Sequence, residues 1–398
     1  MRKKICFLFC ALLFCTAVSS QTLRIRVFSQ QQIKEAVFIP SFGHYSMEVS
    51  DKKVKLSKTT KVSVREQSAK VEVRIGDTLF ASGEKVRFCA EGLKSFFCIK
   101  PLNPAVAERR YDDGLEISSD KKGNLLFINT VEQENYIAGV VQSETWGATK
   151  NIDFFKVQAV CCRNYLLRNI GKHSKDGYNL CDDVHCQAYK TRANHPEVTE
   201  GAYNSRGEVI VDQNGELIET LFHSNSGGQT ANASDVWGKE IPYLVSVIDS
   251  FSVGGKNYTW EKFIKQKTWI AYFKNKGINV KDEAVKQELL HFSQKEGRKK
   301  ELLGVPLTTI RKDFGLKSTY FDIQEWGSEV KLSGKGYGHA VGLSQEGAIK
   351  MCEDGYEYWQ VIEHYFKGAK VIKQQKIPKS NDCKGKNRKK RNNIEQLN

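Results

Sequence analysis

The sequence predicts an α+β protein, with a β-rich N-terminal region followed by a mixed domain of helices and strands. Short segments of alternating apolar and polar residues dominate from Gln21 to about Asn129. A helical spacing of apolar residues begins near Glu132 and returns from about Asp153. Strand patterns then reappear on both sides of the Asn214-Gly215 turn. Such mixed periods along a chain of 398 residues favour an α+β fold of two or three domains.

The composition excludes several classes of protein. Hydrophobic residues make up 40%, charged residues 27%, and only 7 residues are proline, which argues against collagen-like or wholly disordered chains. Beyond position 20, no apolar run approaches the roughly 18 residues that cross a bilayer, so we expect no transmembrane helix in the mature chain. The middle of the chain is mildly basic, a charge that suits an anionic polymer such as nucleic acid or cell-wall glycan.

The two ends carry most of the net charge of +15. Residues 373–398 hold nine basic and two acidic residues, a net of +7, and the first 20 residues add +3, which leaves +5 for the middle. Because 373–398 have almost no apolar residues, we expect a disordered tail. The tail is either simply solvated or attached by its charge to an acidic surface.

Residues 1–20 are typical of a secretory signal peptide. A basic start, Arg2-Lys3-Lys4, precedes an apolar run from Ile5 to Val18 and small residues before a predicted cleavage at Gln21. An N-terminal membrane anchor is the alternative, and the short apolar run disfavours it. We therefore expect an exported protein of the periplasm or cell envelope.

The region 21–129 is predicted to consist of short strands, each with one face in a core and one in solvent. The predicted strands are Thr22–Val27, Lys53–Leu56, Lys70–Ile75 and Leu125–Ile128, the last after a turn at Gly123-Asn124. After export, Cys89 and Cys98 could pair and staple a hairpin, although cysteine connectivity cannot be read from a sequence.

Two helices are predicted at the start of the second domain, residues 130–372. Tyr136, Val140 and Glu144 recur at i, i+4 and i+8 and so share one helix face. Asp153 is the predicted N-cap of the next helix, and Gly171 its predicted end.

The remainder of this domain mixes both element types. A hairpin through Asn214-Gly215 is expected to join two strands, because this dipeptide favours a tight turn. The predicted elements are strands at Glu208–Val211 and Leu217–Phe222, a charged helical stretch at Trp260–Leu303, a glycine-rich loop at 332–339, and helices at Leu343–Met351 and Tyr356–Phe366.

Glu144 is the first candidate for chemistry. A carboxylate on the apolar side of a helix is costly to bury without a partner. Burial also raises the pKa of a carboxyl group, which suits a general acid near neutral pH. The alternative interpretation is a salt-bridged or surface glutamate.

Cys181, His185 and Cys186 form a candidate metal site. Thiolate and imidazole groups are the ligands of tetrahedral zinc, and His173, eight residues before Cys181, could be the fourth. The spacing differs from that of a standard zinc finger, and the adjacent His185 and Cys186 would need a special backbone to share one ion. A Cys181–Cys186 disulfide and free cysteines are the alternatives.

Two loops of small residues are candidate ligand contacts. His223–Gly228 follows a predicted strand and offers an imidazole and hydroxyl groups, and the glycines of Gly336–Gln345 allow close backbone approach to a ligand. The second loop lacks the Gly-Lys-Ser/Thr of a phosphate-binding loop. Alone, the first could equally be a hydrogen-bonded turn.

Together these segments resemble the stage II sporulation protein D (SpoIID/LytB) family, over about Val131 to Lys367. The matching motifs, in the family's order, are Glu134–Glu144, Phe155–Tyr165, His185–Tyr189, His223–Gly228, Asp235–Gly238 and Gly336–Ala348. An ordered set of motifs is far more specific than any one of them.

The resemblance implies a peptidoglycan lytic transglycosylase that acts on glycan strands stripped of stem peptides, with Glu144 as the catalytic acid. One carboxyl group can protonate the glycosidic oxygen and then take the proton of the sugar's own 6-hydroxyl, whereas a hydrolase usually needs a second carboxylate. The resemblance also implies a structural zinc on His173, Cys181, His185 and Cys186, and no organic cofactor. The expected partners are glycan strands and a wall amidase, and not nucleic acid.

Further site residues follow from the same resemblance. Arg163 is expected to steady the charge on Glu144 or on the substrate, a surface arginine being the alternative. The predicted substrate-binding residues are His223, Ser224, Ser226, Trp237, Tyr337, His339 and Gln345. Tyr136 and Trp146 could also offer aromatic faces to a sugar, although core packing is the commoner fate of such side chains.

The sequence departs from the family pattern at several positions. Thr145-Trp146 replaces Met-Pro after the glutamate, Cys161-Cys162 replaces alanines, Tyr337 replaces tryptophan and Ala340 replaces glycine. These changes leave the expected fold intact and leave the substrate preference, and to a smaller degree the activity, open.

Two other functions are compatible with the sequence. A non-catalytic module could bind wall glycan and stimulate an amidase. A zinc hydrolase could use Cys181, His185 and Cys186, but no nearby glutamate has the spacing of a general base.

Overall fold

The computed structural model of the protein describes residues 21–145 and 147–374. The predicted signal peptide, Trp146 and the tail beyond position 374 lie outside these ranges. Within them, no helix combines the length and apolar character that crossing a membrane requires.

An eleven-stranded sheet dominates the first part of the chain. Its strands are β1 (Thr22–Val27), β2 (Glu35–Val49), β3 (Lys52–Leu56), β4 (Val62–Gln67), β5 (Lys70–Ile75), β6 (Thr78–Gly83), β7 (Lys85–Asn103), β8 (Arg109–Asp112), β9 (Gly114–Ser119), β10 (Leu125–Glu132) and β11 (Leu180–Cys181). The order is β11-β1-β10-β9-β7-β2-β4-β5-β6, with β3 paired to β2 and β8 to β7. Only the β1–β11 pair is parallel among these strands.

Alternating burial explains these strands. In β1 the side chains of Leu23, Ile25 and Val27 are buried and their neighbours are not. This alternation is typical of a strand with one face in the core and one face toward solvent. The strands predicted in this region are confirmed, as is the turn before β10, where Gly123 has φ +72° and its amide donates to Asp120 O at 3.2 Å. Cys89 and Cys98 both lie on β7, so they cannot staple two strands of a hairpin.

Three helices follow the sheet, α1 (Gln133–Thr145), α2 (Ile152–Asn169) and α3 (Pro196–Asn204). The predicted face of α1 is confirmed for Tyr136 and Val140, which are buried. The N-cap of α2 is Asn151 rather than Asp153, because the Asn151 side chain accepts the amide of Phe154 at 3.1 Å.

The later part of the chain alternates short strands and helices. The strands are β12 (Glu208–Val211), β13 (Phe222–His223), β14 (Thr259–Lys265), β15 (Glu301–Leu302), β16 (Val305–Pro306), β17 (Phe321–Trp326), β18 (Glu329–Lys335), β19 (Leu343–Ser344) and β20 (Lys370–Lys373). The helices are α4 (Ala233–Trp237), α5 (Gln266–Asn275), α6 (Glu283–Leu290), α7 (Leu307–Phe314), α8 (Gln345–Glu353) and α9 (Tyr358–Tyr365). The prediction of an α+β fold is confirmed.

Three local predictions differ from the structure. The segment Leu217–Phe222 is mostly irregular after the turn, and β12 instead pairs with β20. The stretch Trp260–Leu303 starts with β14, in which the buried Trp260, half-buried Lys262 and buried Ile264 alternate with exposed residues, the period of two that is typical of a strand. The predicted loop at 332–339 begins inside β18.

Two hydrophobic cores organise the molecule. The first core joins the sheet to α1–α3 and α8–α9. The domain boundary predicted between residues 129 and 130 falls inside β10, and it therefore divides this one continuous core. The second runs from Trp260 to Leu332, and we refer to residues 259–335 as the second core unit. Its three-stranded sheet, in the order β14-β18-β17, ends directly before the loop at 336–342.

Candidate functional site

Glu144 lies in the last turn of α1, half-buried against the segment that follows Cys186. Its Oε1 accepts the backbone amide of Ala188 at 2.9 Å. Among the described residues, Oε2 has no hydrogen-bond partner, so this oxygen can meet a ligand. Glu144 is thus a fixed carboxyl group with one oxygen held and the other available.

Neighbouring side chains of α1 also bind the segment 188–195. Ser143 Oγ accepts the amide of Lys190 at 2.9 Å, and Gln142 Oε1 accepts the amide of Asn194 at 2.7 Å. Gly139 is needed for this close approach, since a Cβ there would lie 2.4 Å from the ring of Tyr189. The last turn of α1 and this segment therefore form one rigid corner around Glu144.

Burial sets the acidity of Glu144. Desolvation raises the pKa of its carboxyl group above the ordinary value, and the Ala188 amide and the more distant Lys190 charge oppose this only in part. A larger fraction of Glu144 is therefore protonated near neutral pH than of an exposed glutamate. A protonated carboxyl group is what a general acid must offer.

The predicted metal ligands come together. The donor atoms of His173, Cys181, His185 and Cys186 all lie within 4.8 Å of one another. Cys186 Sγ lies 3.5 Å from His173 Nε2 and 3.7 Å from His185 Nδ1, and Cys181 Sγ lies 3.8 Å from His185 Nδ1. Tetrahedral zinc with thiolate and imidazole bonds of about 2.0–2.3 Å needs ligand atoms at about such separations. The donor set therefore fits zinc.

Surrounding contacts orient these ligands. His173 Nδ1 lies 3.4 Å from Asp176 Oδ2, the usual arrangement that fixes the tautomer of a metal-binding imidazole. The carbonyl of His185 accepts Lys172 Nζ at 2.6 Å and Tyr165 Oη at 3.3 Å. These bonds hold the backbone at His185, which lets the adjacent His185 and Cys186 face the same point.

Arg163 does not have the role expected for it. Its side chain is 0% exposed, and its Nη2 pairs with Glu134 Oε2 at 2.5 Å. Nε donates to Glu134 Oε1 at 3.3 Å, Nη1 donates to the carbonyl of Glu208 at 3.1 Å, and Nη2 also donates to the carbonyl of Ala202 at 3.2 Å. Because it is fully buried and bonded elsewhere, Arg163 neither reaches a substrate nor steadies Glu144. It instead ties α2 to α1, α3 and β12.

The buried His223 and the half-buried His339 form a pair beside Trp237. The two imidazole centroids are 5.5 Å apart, and the Trp237 ring lies 5.3 Å from that of His339. His339 accepts the Val341 amide at Nδ1 and lies 3.0 Å from the Phe222 carbonyl at Nε2, so both its nitrogens are used. His223 lies 3.2 Å from Val341 O through Nδ1, and its buried Nε2 has no partner in the described structure.

The other predicted substrate residues differ in what they can do. Ser226 is fully buried and donates to Asp249 Oδ2 at 2.7 Å, so it is structural and not a substrate contact. Ser224 is half-buried and accepts Asn257 Nδ2 at 3.1 Å. Gln345 keeps a buried Nε2 without a partner among the described residues, and the ring of Tyr337 is 44% exposed.

Tyr136 is a core residue and does not offer its ring to a sugar. It is fully buried and packs edge-on against Tyr189, with ring centroids 4.9 Å apart. Its proposed contact with a sugar face is therefore wrong.

Within residues 21–145 and 147–374, no hydrogen bond joins Glu144 to the histidine pair. The link between their elements is indirect, because Thr220 Oγ1, just before β13, donates to the carbonyl of Cys161 on α2 at 2.7 Å.

Sequence reasoning missed several contacts of this region. Glu346 accepts Asn225 Nδ2 at 2.8 Å and Asn257 Nδ2 at 2.6 Å, so it joins the His223–Gly228 loop to the segment directly before β14. Its position directly after Gln345, inside a glycine-rich motif, was the available signal. The Ala188 amide gives no sequence signal, because every residue except proline has one.

The fold and site define a class: an α+β protein in which a half-buried carboxyl group at a helix end is held by a loop that carries a two-cysteine, two-histidine cluster. The family model described as SpoIID, stage II sporulation protein, matches residues 121–212. The matched residues include Glu144 and all four residues of the cysteine and histidine cluster.

Curated relatives agree with this similarity. The chain is 27% identical over 264 residues to the stage II sporulation protein D of Bacillus amyloliquefaciens, covering 61% of this chain and 75% of that protein. It is 25% identical over 265 residues to the protein of the same name from Bacillus subtilis (strain 168), with the same coverage. It is 23% identical over 287 residues to the amidase enhancer of Bacillus subtilis (strain 168), covering 58% of this chain and 40% of that protein. These relatives support a role connected with the cell wall.

Proposed function

We propose that the protein is an exported lytic transglycosylase that cleaves peptidoglycan glycan strands, preferably those without stem peptides, to 1,6-anhydro-muramyl ends. The observation that carries the proposal is the state of Glu144. Burial raises the pKa of its carboxyl group, one oxygen is fixed by the Ala188 amide, and the other has no partner among the described residues. The similarity to the SpoIID family model and to an amidase enhancer supports a cell-wall role and leaves the reaction to be tested.

One carboxyl group suffices for the proposed reaction. Protonated Glu144 gives its proton to the glycosidic oxygen as the bond from that oxygen to C1 of the muramic sugar breaks. The resulting carboxylate accepts the proton of the 6-hydroxyl of the same sugar, whose oxygen bonds to C1. Glu144 ends protonated, as it began, and no water is consumed.

The role proposed for zinc is structural. His173, Cys181, His185 and Cys186 would hold the ion, which supplies four strong bonds that fix the loop they belong to. Ala188, which binds Glu144, lies two residues after Cys186. A rigid metal loop would therefore keep the amide of Ala188 against the carboxyl group. A catalytic zinc would need an open coordination position, and the four protein donors leave none, which disfavours a zinc hydrolase.

The test is product analysis by mass spectrometry with purified glycan strands, with and without stem peptides. We expect wild-type protein to release 1,6-anhydro ends from peptide-free strands and Glu144→Gln to lower the rate by about 100-fold to 10,000-fold, since the amide cannot transfer protons. Glu283→Gln, on the exposed surface of α6, is the matched control and should behave as wild type. Release of reducing ends instead, or normal activity of Glu144→Gln, would refute the proposal.

A second function is supported by the similarity to an amidase enhancer. In that case the protein binds wall glycan and stimulates a wall amidase without cleaving the strand. Binding of purified glycan without new ends, together with a faster amidase in a mixed assay, would favour this function.

A further inference from the structure

Three cations lie together where the second core unit meets the loop after β18. We call Arg298, Arg311 and Lys317 the cationic site. Arg298 donates to the carbonyls of Ser226 and Gln229. The carbonyl of Lys317 accepts the amide of Gly338 at 2.9 Å, and its Nζ lies 5.7 Å from the centroid of the Tyr337 ring. The cationic site therefore borders the turn that carries Tyr337 and His339.

The positive charge of the cationic site is not balanced. In the described parts of the chain, no carboxylate lies within salt-bridge distance of any of the three cations. Burial lowers the pKa of Arg298 to about 10 and also lowers the pKa of Arg311. The pKa of His223 falls well below its ordinary value through burial first, then His339, with Arg298 and Arg311 adding to the effect. Unpaired, partly buried cations are costly, so this region is electrostatically incomplete without an anion.

Three buried polar atoms of the cationic site and of the two histidine-bearing loops also lack partners within the described structure. They are Arg311 Nε, Gln345 Nε2 and His223 Nε2. The first two are donors, and His223 Nε2 is an acceptor when Nδ1 donates to Val341 O. A ligand that satisfies all three must offer hydrogen-bond acceptors to Arg311 and Gln345 and a donor, such as a hydroxyl group, to His223. The exposed ring of Tyr337 offers the apolar surface that a sugar ring can cover.

We propose that the cationic site binds the free lactyl carboxylate of a muramic acid residue from which the stem peptide has been removed. This inference rests on the proposed function and names the group that determines its substrate preference. Removal of the peptide converts a neutral lactyl amide into a carboxylate, and a guanidinium recognises a carboxylate by charge-assisted hydrogen bonds. The hydroxyl groups of the same sugar match the acceptor at His223 Nε2. A strand that keeps its peptides has no carboxylate at the lactyl position.

The experiment compares two ligands that differ only in this charge. One is a muramic acid tetrasaccharide with free lactyl carboxylates, and the other is the same tetrasaccharide with each carboxylate capped as a methylamide. Binding is measured by calorimetry on the full mature chain carrying Glu144→Gln, so that the ligand is not consumed. We expect the free carboxylate form to bind about tenfold to 100-fold more tightly.

Substitutions in the cationic site test which residues determine the preference for the free carboxylate. Arg311→Gln should reduce the ratio of the two affinities to near one, and Lys317→Gln, at an exposed position, should reduce it with little risk to folding. Lys312→Gln, the exposed neighbour on α7, is the matched control and should keep the ratio. Equal affinity of the parent protein for both ligands, or an equal loss for both in Arg311→Gln, would overturn the inference.

The outcome is separable from that of the proposed function. If the protein releases anhydro ends but binds both tetrasaccharides equally, the transglycosylase proposal holds and the carboxylate-binding role of the cationic site is refuted. If binding depends on the carboxylate but no ends are released, the cationic site holds and the transglycosylase proposal is refuted.

Discussion

The carboxyl group of Glu144 accepts the backbone amide of Ala188 at 2.9 Å, and this bond joins the end of α1 to the loop that carries the cysteine and histidine cluster. Because a glutamine can accept the same bond, the link can survive when the acid is removed. The charge and the geometry of the site can therefore be tested independently.

Glu144→Gln should stabilise the folded protein at neutral pH. The folded-state pKa of Glu144 is raised by burial, so the folded protein binds this proton more tightly than the unfolded chain. Wild-type stability at this group is then full below the ordinary pKa of about 4.5 and declines as pH rises through the folded-state value. The glutamine variant lacks this decline.

The measurement is urea denaturation of both proteins between pH 4 and pH 8. The difference in unfolding free energy should be near zero at the acid end and should favour Glu144→Gln at neutral pH. A variant that is less stable than wild type at neutral pH would contradict the conclusion that burial raises the pKa of Glu144.

Cys186→Ser should remove bound zinc and weaken the contact between Glu144 and the amide of Ala188. Loss of a direct ligand should lower zinc affinity by at least about 100-fold, since even outer-sphere changes cost 10-fold to 100-fold. Zinc is measured by metal analysis and stability by thermal unfolding. Cys89→Ser, on β7 and remote from the cluster in the sequence, is the control and should retain zinc. Full zinc content in Cys186→Ser would exclude this residue as a ligand.

Local patterns predicted much of this fold, and contacts between distant residues explain what they missed. The alternation in Lys70–Ile75 is enough to define β5, and the i, i+4 spacing of Tyr136 and Val140 defines the buried face of α1. Arg163 was misassigned because its partner Glu134 lies 29 residues away, and nothing in the sequence pairs them. Cys89 and Cys98 were expected on two strands because a 19-residue strand such as β7 is unusually long.

The same reasoning applies to the candidate site. Glu144 and the four predicted metal ligands are each visible as motifs, and the fold brings those four residues together. The cationic site was not visible, because Arg298 and Arg311 lie in a charged stretch whose orientation depends on how the second core unit meets the loop after β18.

Arg163→Met should destabilise the protein by about 3–5 kcal/mol, because it leaves the buried carboxylate of Glu134 without its partner. The double variant Glu134→Gln, Arg163→Met should recover part of this loss, since neither charge is then buried alone. Both are measured by urea denaturation. Arg206→Met, at a 40% exposed side chain, is the control, with an expected cost below about 1 kcal/mol. A mild effect of Arg163→Met, with loss of activity, would instead restore a catalytic role to this residue.

His339 should make the protein sensitive to acid. Burial lowers the pKa of its imidazole from 6.5 in the unfolded chain to about 4 in the folded protein, and the nearby charge of Arg311 adds to this effect. The unfolded chain therefore binds the proton first, so stability falls as pH drops from about 6.5 and the loss is complete below about 4. The full loss is about 3 kcal/mol at this group, an upper value that follows from the shift of the pKa. His339→Gln should show a flatter dependence of unfolding free energy on pH over this window, whereas His291→Gln, at an exposed position, should follow wild type. A wild-type profile in His339→Gln would mean that the imidazole is solvated or protonated in the folded state, and the neutral histidine pair beside Trp237 would have to be abandoned.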